Sequence, residues 1–85
     1  MKVLIPSPLH SYTRAPVVEA SGSSLEAVLV DLDRQFPGLR FRVQDEQGRL
    51  RRHMRFFVNG EQVFDPAAAL GAEDELLIVQ ALSGG

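Results

Sequence analysis

An α+β fold, with a mixed sheet of four to five strands covered by one main helix, is what this sequence predicts. Three observations carry that expectation. An apolar stripe at helical spacing runs through Leu25, Val28, Leu29, Leu32 and Phe36. Short alternating segments flank it on both sides. The segment from Leu76 to Leu82 is almost wholly apolar, as in a strand covered on both faces and central in its sheet. With 85 residues the chain has room for one domain, and a single amphipathic helix then needs the sheet to cover its apolar stripe.

Residues 1–6 read as the first strand, Val3 and Ile5 on one face and Lys2 and Leu4 on the other. Ser7-Pro8 to Arg14 reads as a loop or hairpin connection. Pro16 to Ala20 is a second short strand. Glu19 turns to water and Val18 and Ala20 point inward; Pro16 needs an edge or first-residue position because it has no N–H to donate. The helix spans about residues 24–36, with Ser23 and Glu26 as a capping box and Pro37-Gly38 as its stop.

Residues 39–53 allow two readings. Leu39, Phe41 and Val43 alternate with arginines as in a marginal strand, or the segment is a long surface connection with Leu39 or Phe41 tucked beneath it. Asp45-Glu46-Gln47-Gly48 is a turn. Met54 to Val58 is a strand, Asn59-Gly60 a hairpin turn, and Gln62 to Phe64 the antiparallel return. Asp65-Pro66 starts a short helical turn near 66–70 anchored by Leu70, and Glu73-Asp74-Glu75 is a solvated turn. The domain therefore covers residues 1–82, with the first and last strands parallel neighbours, and residues 83–85 form a flexible tail.

The chain contains no cysteine, which excludes disulfides, thiolate metal sites and a persulfide carried on a side chain. His10 and His53 are lone histidines, and Ser7, Ser11, Ser21, Ser23 and Ser24 fall at turns and caps. No nucleophilic triad or metal site is indicated. No apolar run approaches the ~18–20 residues that span a bilayer, and Met1-Lys2-Val3-Leu4-Ile5 is too short an apolar stretch for a signal peptide. The expected location is cytoplasmic, with no membrane or nucleic-acid partner.

Charge is unevenly spread behind the net of −2. Residues 34–55 hold seven arginines (Arg34, Arg40, Arg42, Arg49, Arg51, Arg52, Arg55) against Asp45 and Glu46. Residues 56–85 hold five acids (Glu61, Asp65, Glu73, Asp74, Glu75) and no basic residue. Such asymmetry suggests two differently charged surfaces. The arginine run reads as a solvated face rather than a nucleic-acid site, since stacking aromatics are not interleaved with it. The acidic region would steer the C-terminus toward a basic groove. Pleat alternation also places Phe57, Leu77 and Val79 together on the face away from the helix, an exposed apolar patch suited to a partner.

The element order, the run Arg55-Phe56-Phe57-Val58-Asn59-Gly60-Glu61, the Leu70 turn, Glu73-Asp74-Glu75, the last strand and the ending Leu82-Ser83-Gly84-Gly85 resemble the ubiquitin-like β-grasp fold. The closer similarity is to sulfur carriers of the MoaD/ThiS type, over nearly the whole chain. The length of 39–53 leans toward the small subunit of molybdopterin synthase rather than a minimal thiazole-pathway carrier.

The resemblance implies a carrier rather than an enzyme. It implies that an E1-like adenylating enzyme uses ATP to activate Gly85, that a persulfide donor supplies sulfur, and that the resulting thiocarboxylate serves an acceptor such as a molybdopterin synthase large subunit. The carrier itself binds no cofactor. Glycines suit that task because Gly84 and Gly85, without Cβ atoms, fit a narrow channel in any backbone conformation. A protein modifier joined through Gly85, or a plain β-grasp interaction module, are the alternatives. Lys2 is the only lysine, which disfavours chains built through internal lysines.

Overall fold

The computed structural model describes residues 1–81. Its strands are β1 (Lys2–Leu4), β2 (Val17–Glu19), β3 (Met54–Val58), β4 (Glu61–Val63) and β5 (Glu75–Gln80). They form one sheet in the order β2-β1-β5-β3-β4. The main helix is α2 (Leu25–Gln35), preceded by a short α1 (His10–Thr13) and followed by α3 (Leu39–Val43). β5 pairs in parallel with β1 and antiparallel with β3, so the most apolar strand is central, as its composition requires.

The core forms where the inner sheet face meets α2. Val3, Ile5, Phe56, Leu76 and Ile78 pack there with Leu25, Val28, Leu29 and Leu32, all buried. Asn59 and Gly60 take positive φ values of 50° and 87°, the left-handed pair that a two-residue hairpin needs. Asn59 does more than turn the chain. Its Nδ2 donates to Asp74 Oδ1 at 2.8 Å and its Oδ1 accepts from Glu75 N at 3.0 Å, tying the hairpin to the start of β5.

Four local expectations are corrected. Residues 7–14 are not an open loop: a 3-10 turn at Ser7–Leu9 runs into α1, with Pro8 presetting the first turn and Leu9 buried beneath it. The cap of α2 is Ser24, whose Oγ accepts from Ala27 N at 3.1 Å, and the Ser23–Glu26 box does not form. The reason lies in the segment expected as a helical turn at 66–70. It is a single turn closed by Ala68 N to Asp65 O, and its carbonyls serve α2 instead. Leu25 N donates to Ala68 O and Glu26 N to Pro66 O, so the orphan amides at the helix start are satisfied by a passing chain.

The fourth correction concerns 39–53. Leu39, Phe41 and Val43 have the spacing of a strand, yet Leu39 and Val43 are also four apart, one turn on a helix face. The chain takes the second option. Gly38, at φ 96°, turns it out of α2. Leu39 and Val43 then enter the core, and Phe41 is left 56% exposed on the opposite side.

Replacing Phe56, which is fully buried, by Ala is expected to cost ~3–5 kcal/mol. Phe64→Ala, at a side chain 75% exposed, should move stability by no more than about 0.5 kcal/mol. Urea unfolding of both variants checks the contrast, and equal losses would contradict the assigned core.

Candidate functional site

The candidate site is the end of the sheet at which β5 finishes. Leu82, Ser83, Gly84 and Gly85, the residues expected to carry the chemistry, lie outside the described residues. Their root is defined. Ala81 N donates to the His53 carbonyl at 2.7 Å, one residue beyond the last β5 pair, Met54 with Gln80. The chain is therefore held by main-chain bonds up to residue 81.

Phe57, Leu77 and Val79 sit on the sheet face away from α2. Phe57 and Leu77 are direct partners across β3 and β5, and Val79 lies opposite Arg55. Leu77 is 37% exposed, while Phe57 and Val79 are half-buried; none of the three belongs to the core cluster. The strand register extends this patch beyond the three residues read from the sequence. Leu4 pairs with Leu77 on one side and with Val17 on the other, giving an apolar row of Val17, Leu4, Leu77 and Phe57 across four strands. Alternation marks Leu4 as outward-facing, but its alignment with Leu77 appears only once the strands are paired. The 39–53 segment does not fold over the row, because Leu39 and Val43 anchor it in the core cluster with α2.

Two polar residues fix the 39–53 segment beside the tail root. Gln44 is 1% exposed and fully satisfied: its Nε2 donates to Gly48 O at 2.6 Å and Glu26 Oε1 at 3.3 Å, and its Oε1 accepts from Arg40 Nε at 2.6 Å. Asp45 closes the turn after it, accepting from the amides of Gln47 and Arg49 at 2.9 Å each. The Arg49 amide, chiefly, holds the Asp45 carboxyl below its ordinary range. Arg51 is pinned across the segment, with Nε donating to Phe41 O at 2.7 Å and its guanidinium 4.6 Å from the Phe41 ring centroid.

These contacts place Phe41, Arg42, Arg51, His53 and Gln80 around one depression at the C-terminal end of β5. The acids expected to steer the tail are elsewhere. Glu75 begins β5, Glu73 and Asp74 precede it, and Glu61 begins β4 beside the hairpin. These four stand at the opposite end of the strands; the fifth, Asp65, follows β4, which runs toward the basic end and brings Phe64 beside Arg51, Arg52 and Arg55. The tail end is basic, because an antiparallel β3 brings Arg51–Arg55 to the point where β5 stops.

Nothing resembling a catalytic set is assembled among the described residues. His10 Nε2 donates to the Ile5 carbonyl at 2.8 Å, a structural role. Ser24 is a helix cap. No group of three or more potential metal ligands occurs among the described residues, and no helix there is long and apolar enough to cross a membrane.

A five-stranded mixed sheet with parallel first and last strands and one helix across it defines the class of ubiquitin-like β-grasp proteins. The chain belongs to the ThiS family, whose model matches residues 3–85. Among curated proteins it is similar to the sulfur carrier protein CysO of Mycobacterium tuberculosis, 36% identical over 89 residues, covering 98% of this chain and 96% of the relative. Among solved structures it matches a chain of the BexX/CysO complex of Amycolatopsis orientalis with a TM-score of 0.91 and 30% identity, covering 99% and 98% of the two chains. SAMP1 of Haloferax volcanii, a small archaeal modifier protein, matches with a TM-score of 0.79 and 27% identity, covering 100% and 98%.

The lowered Asp45 carboxyl has a consequence for stability. A depressed folded-state value stabilises the fold above the ordinary carboxylate range and loses that contribution as pH falls through the lowered value. Asp45→Asn should therefore lower the melting temperature near neutral pH, with the gap to wild type closing in strong acid. A gap that stays constant with pH would contradict the assigned role of the charge.

Proposed function

We propose that this chain is a sulfur carrier of the CysO type, in which the Gly85 carboxylate is the loading point. The carboxylate attacks the α-phosphorus of ATP in an E1-like adenylating enzyme, and pyrophosphate leaves. A persulfide sulfur on a donor protein then attacks the acyl-adenylate carbon and AMP leaves. A thiol attacks the donor's sulfur in the resulting acyl disulfide, forming a disulfide with the donor as the thiocarboxylate leaves, and the thiocarboxylate passes its sulfur to an acceptor. The carrier supplies the terminus and the docking surface; ATP is consumed by the partner, and no resident cofactor is needed.

The observation that carries the reading is the family match running through Gly85, on a chain whose central strand is held to Ala81 and points toward its C-terminus at one end of the sheet. The likeness to CysO turns the reading away from a molybdopterin synthase subunit and toward a free carrier. The apolar row Val17, Leu4, Leu77 and Phe57, with Val79 beside it, is the surface on which an activating enzyme would seat the body while the tail threads inward. The likeness to SAMP1 supports the second reading, a protein modifier joined through Gly85. In that reading Lys2, half-exposed and 3.6 Å from Glu75, is the one internal lysine for self-conjugation.

Intact-mass spectrometry after incubation with ATP, an E1-like enzyme and a persulfide donor distinguishes these. The carrier reading expects a mass gain equal to exchange of one oxygen for sulfur, confined to the C-terminal residue. Deleting Gly85 should abolish the gain and leave the unfolding midpoint unchanged. Isopeptide adducts without a thiocarboxylate would favour the modifier, and loading of the truncated chain would overturn the assignment.

A further inference from the structure

We infer that the tail-bearing end of the sheet is a positively charged docking face for a protein partner whose surface around the tail-accepting opening is acidic. The inference rests on the carrier reading for its purpose and on charge placement for its evidence. Phe41, Arg42, Arg51, His53 and Gln80 line a depression of ≈ 320 Å³ that contains no Asp or Glu side chain among the described residues. A second depression shares Arg51 and His53 with it and adds Arg49 and Arg52. Asp45, the acid that also lines this second one, is occupied by Arg49, at 3.3 Å. Arg42 and Arg52 form no ion pair among the described residues.

The face is also preorganised. Arg51 is held over Phe41 by its own hydrogen bond, and the loop beneath is fixed by Gln44 and Asp45. At Arg51 a partner therefore meets a held charge rather than a freely moving side chain, and less ordering entropy opposes binding there.

Magnitudes decide whether the net charge of −2 cancels this face. β5 separates the basic end from Glu61, Glu73, Asp74 and Glu75 by roughly 17 Å, at about 3.3 Å per residue. Screening at physiological salt acts over about 8 Å. The two ends therefore act almost independently, and an approaching surface feels the local sign. An acidic opening draws the molecule in tail-first, while the far end is repelled from it. Phe41 has a guanidinium over its ring, and His53 is the only other ring among the described residues that line the depression, a poor platform for stacking successive nucleic-acid bases, which favours a protein partner.

The test uses the full chain, ¹⁵N-labelled and titrated with an octaglutamate peptide as the acidic probe. Saturable amide shifts are expected at Phe41, Arg42, His53, Gln80 and Ala81, with none around Glu61 or Glu73–Glu75. The double variant Arg42→Glu/Arg52→Glu should weaken binding on the order of tenfold, as should raised salt on the wild-type chain, whereas Arg34→Glu should not. The milder pair Arg42→Gln/Arg52→Gln gives a second variant should charge reversal disturb folding. Shifts scattered over the surface, affinity unchanged in the variants and in salt, or tighter binding of a single-stranded oligonucleotide of equal charge would overturn the proposal. Peptide binding needs neither ATP nor sulfur. Its failure would remove the docking face and leave thiocarboxylate loading to stand or fall alone.

Discussion

Main-chain pairing on both sides of β5 is the constraint on which the rest of the structure depends. A strand between a parallel and an antiparallel neighbour has both rows of its amides and carbonyls committed, and its inward side chains, Leu76 and Ile78, are buried against α2. Shifting it by one residue would expose that whole apolar set and bury Leu77 and Val79. The register is thus strongly specified, and with it the position at which the chain leaves the sheet. The proposed function depends on this: a terminus offered to a partner's site would start from a fixed point relative to the surface that docks.

The same pairing sorts the charges. β3 runs antiparallel to β5, so residues just before β3 sit where β5 ends and residues just after β3 sit where it begins. The arginines of 49–55 are separated from Glu61, Glu73, Asp74 and Glu75 to opposite ends of the sheet. The segment 39–53 then brings Arg42 to the basic end. Buried Gln44 and the Asp45 turn hold it there, at the cost of placing a polar side chain in the interior that only complete hydrogen bonding makes tolerable.

Much of this was legible in the sequence where one periodicity dominated. The α2 stripe, the apolar alternation of β1 and β3, the Asn59-Gly60 turn and the central position of β5 each had a single physical reading, and the structure agrees. Reading failed where two local options had similar appeal. Leu39, Phe41 and Val43 fit both periods, and the choice was made by the core that Leu39 and Val43 enter. Ser23 and Ser24 are equally good caps; a distant segment, 66–69, selected between them by offering its carbonyls. The extension of the apolar patch to Leu4 and Val17 and the basic end were hidden for another reason. They are products of strand register, in which Leu4 meets Leu77 and Arg51–Arg55 meets the end of β5; the sequence placed the first and last strands side by side without fixing which residues align.

The central claim is that the fold grips its last strand to Ala81. Native-state hydrogen exchange tests it most directly. The amide of Ile78 should exchange only through global unfolding, and that of Ala81, bonded to the His53 carbonyl, should be protected well above the rate of an unstructured chain. Exchange of Ala81 at the unstructured rate, or opening of Ile78 before the edge strands β2 and β4, would contradict the account.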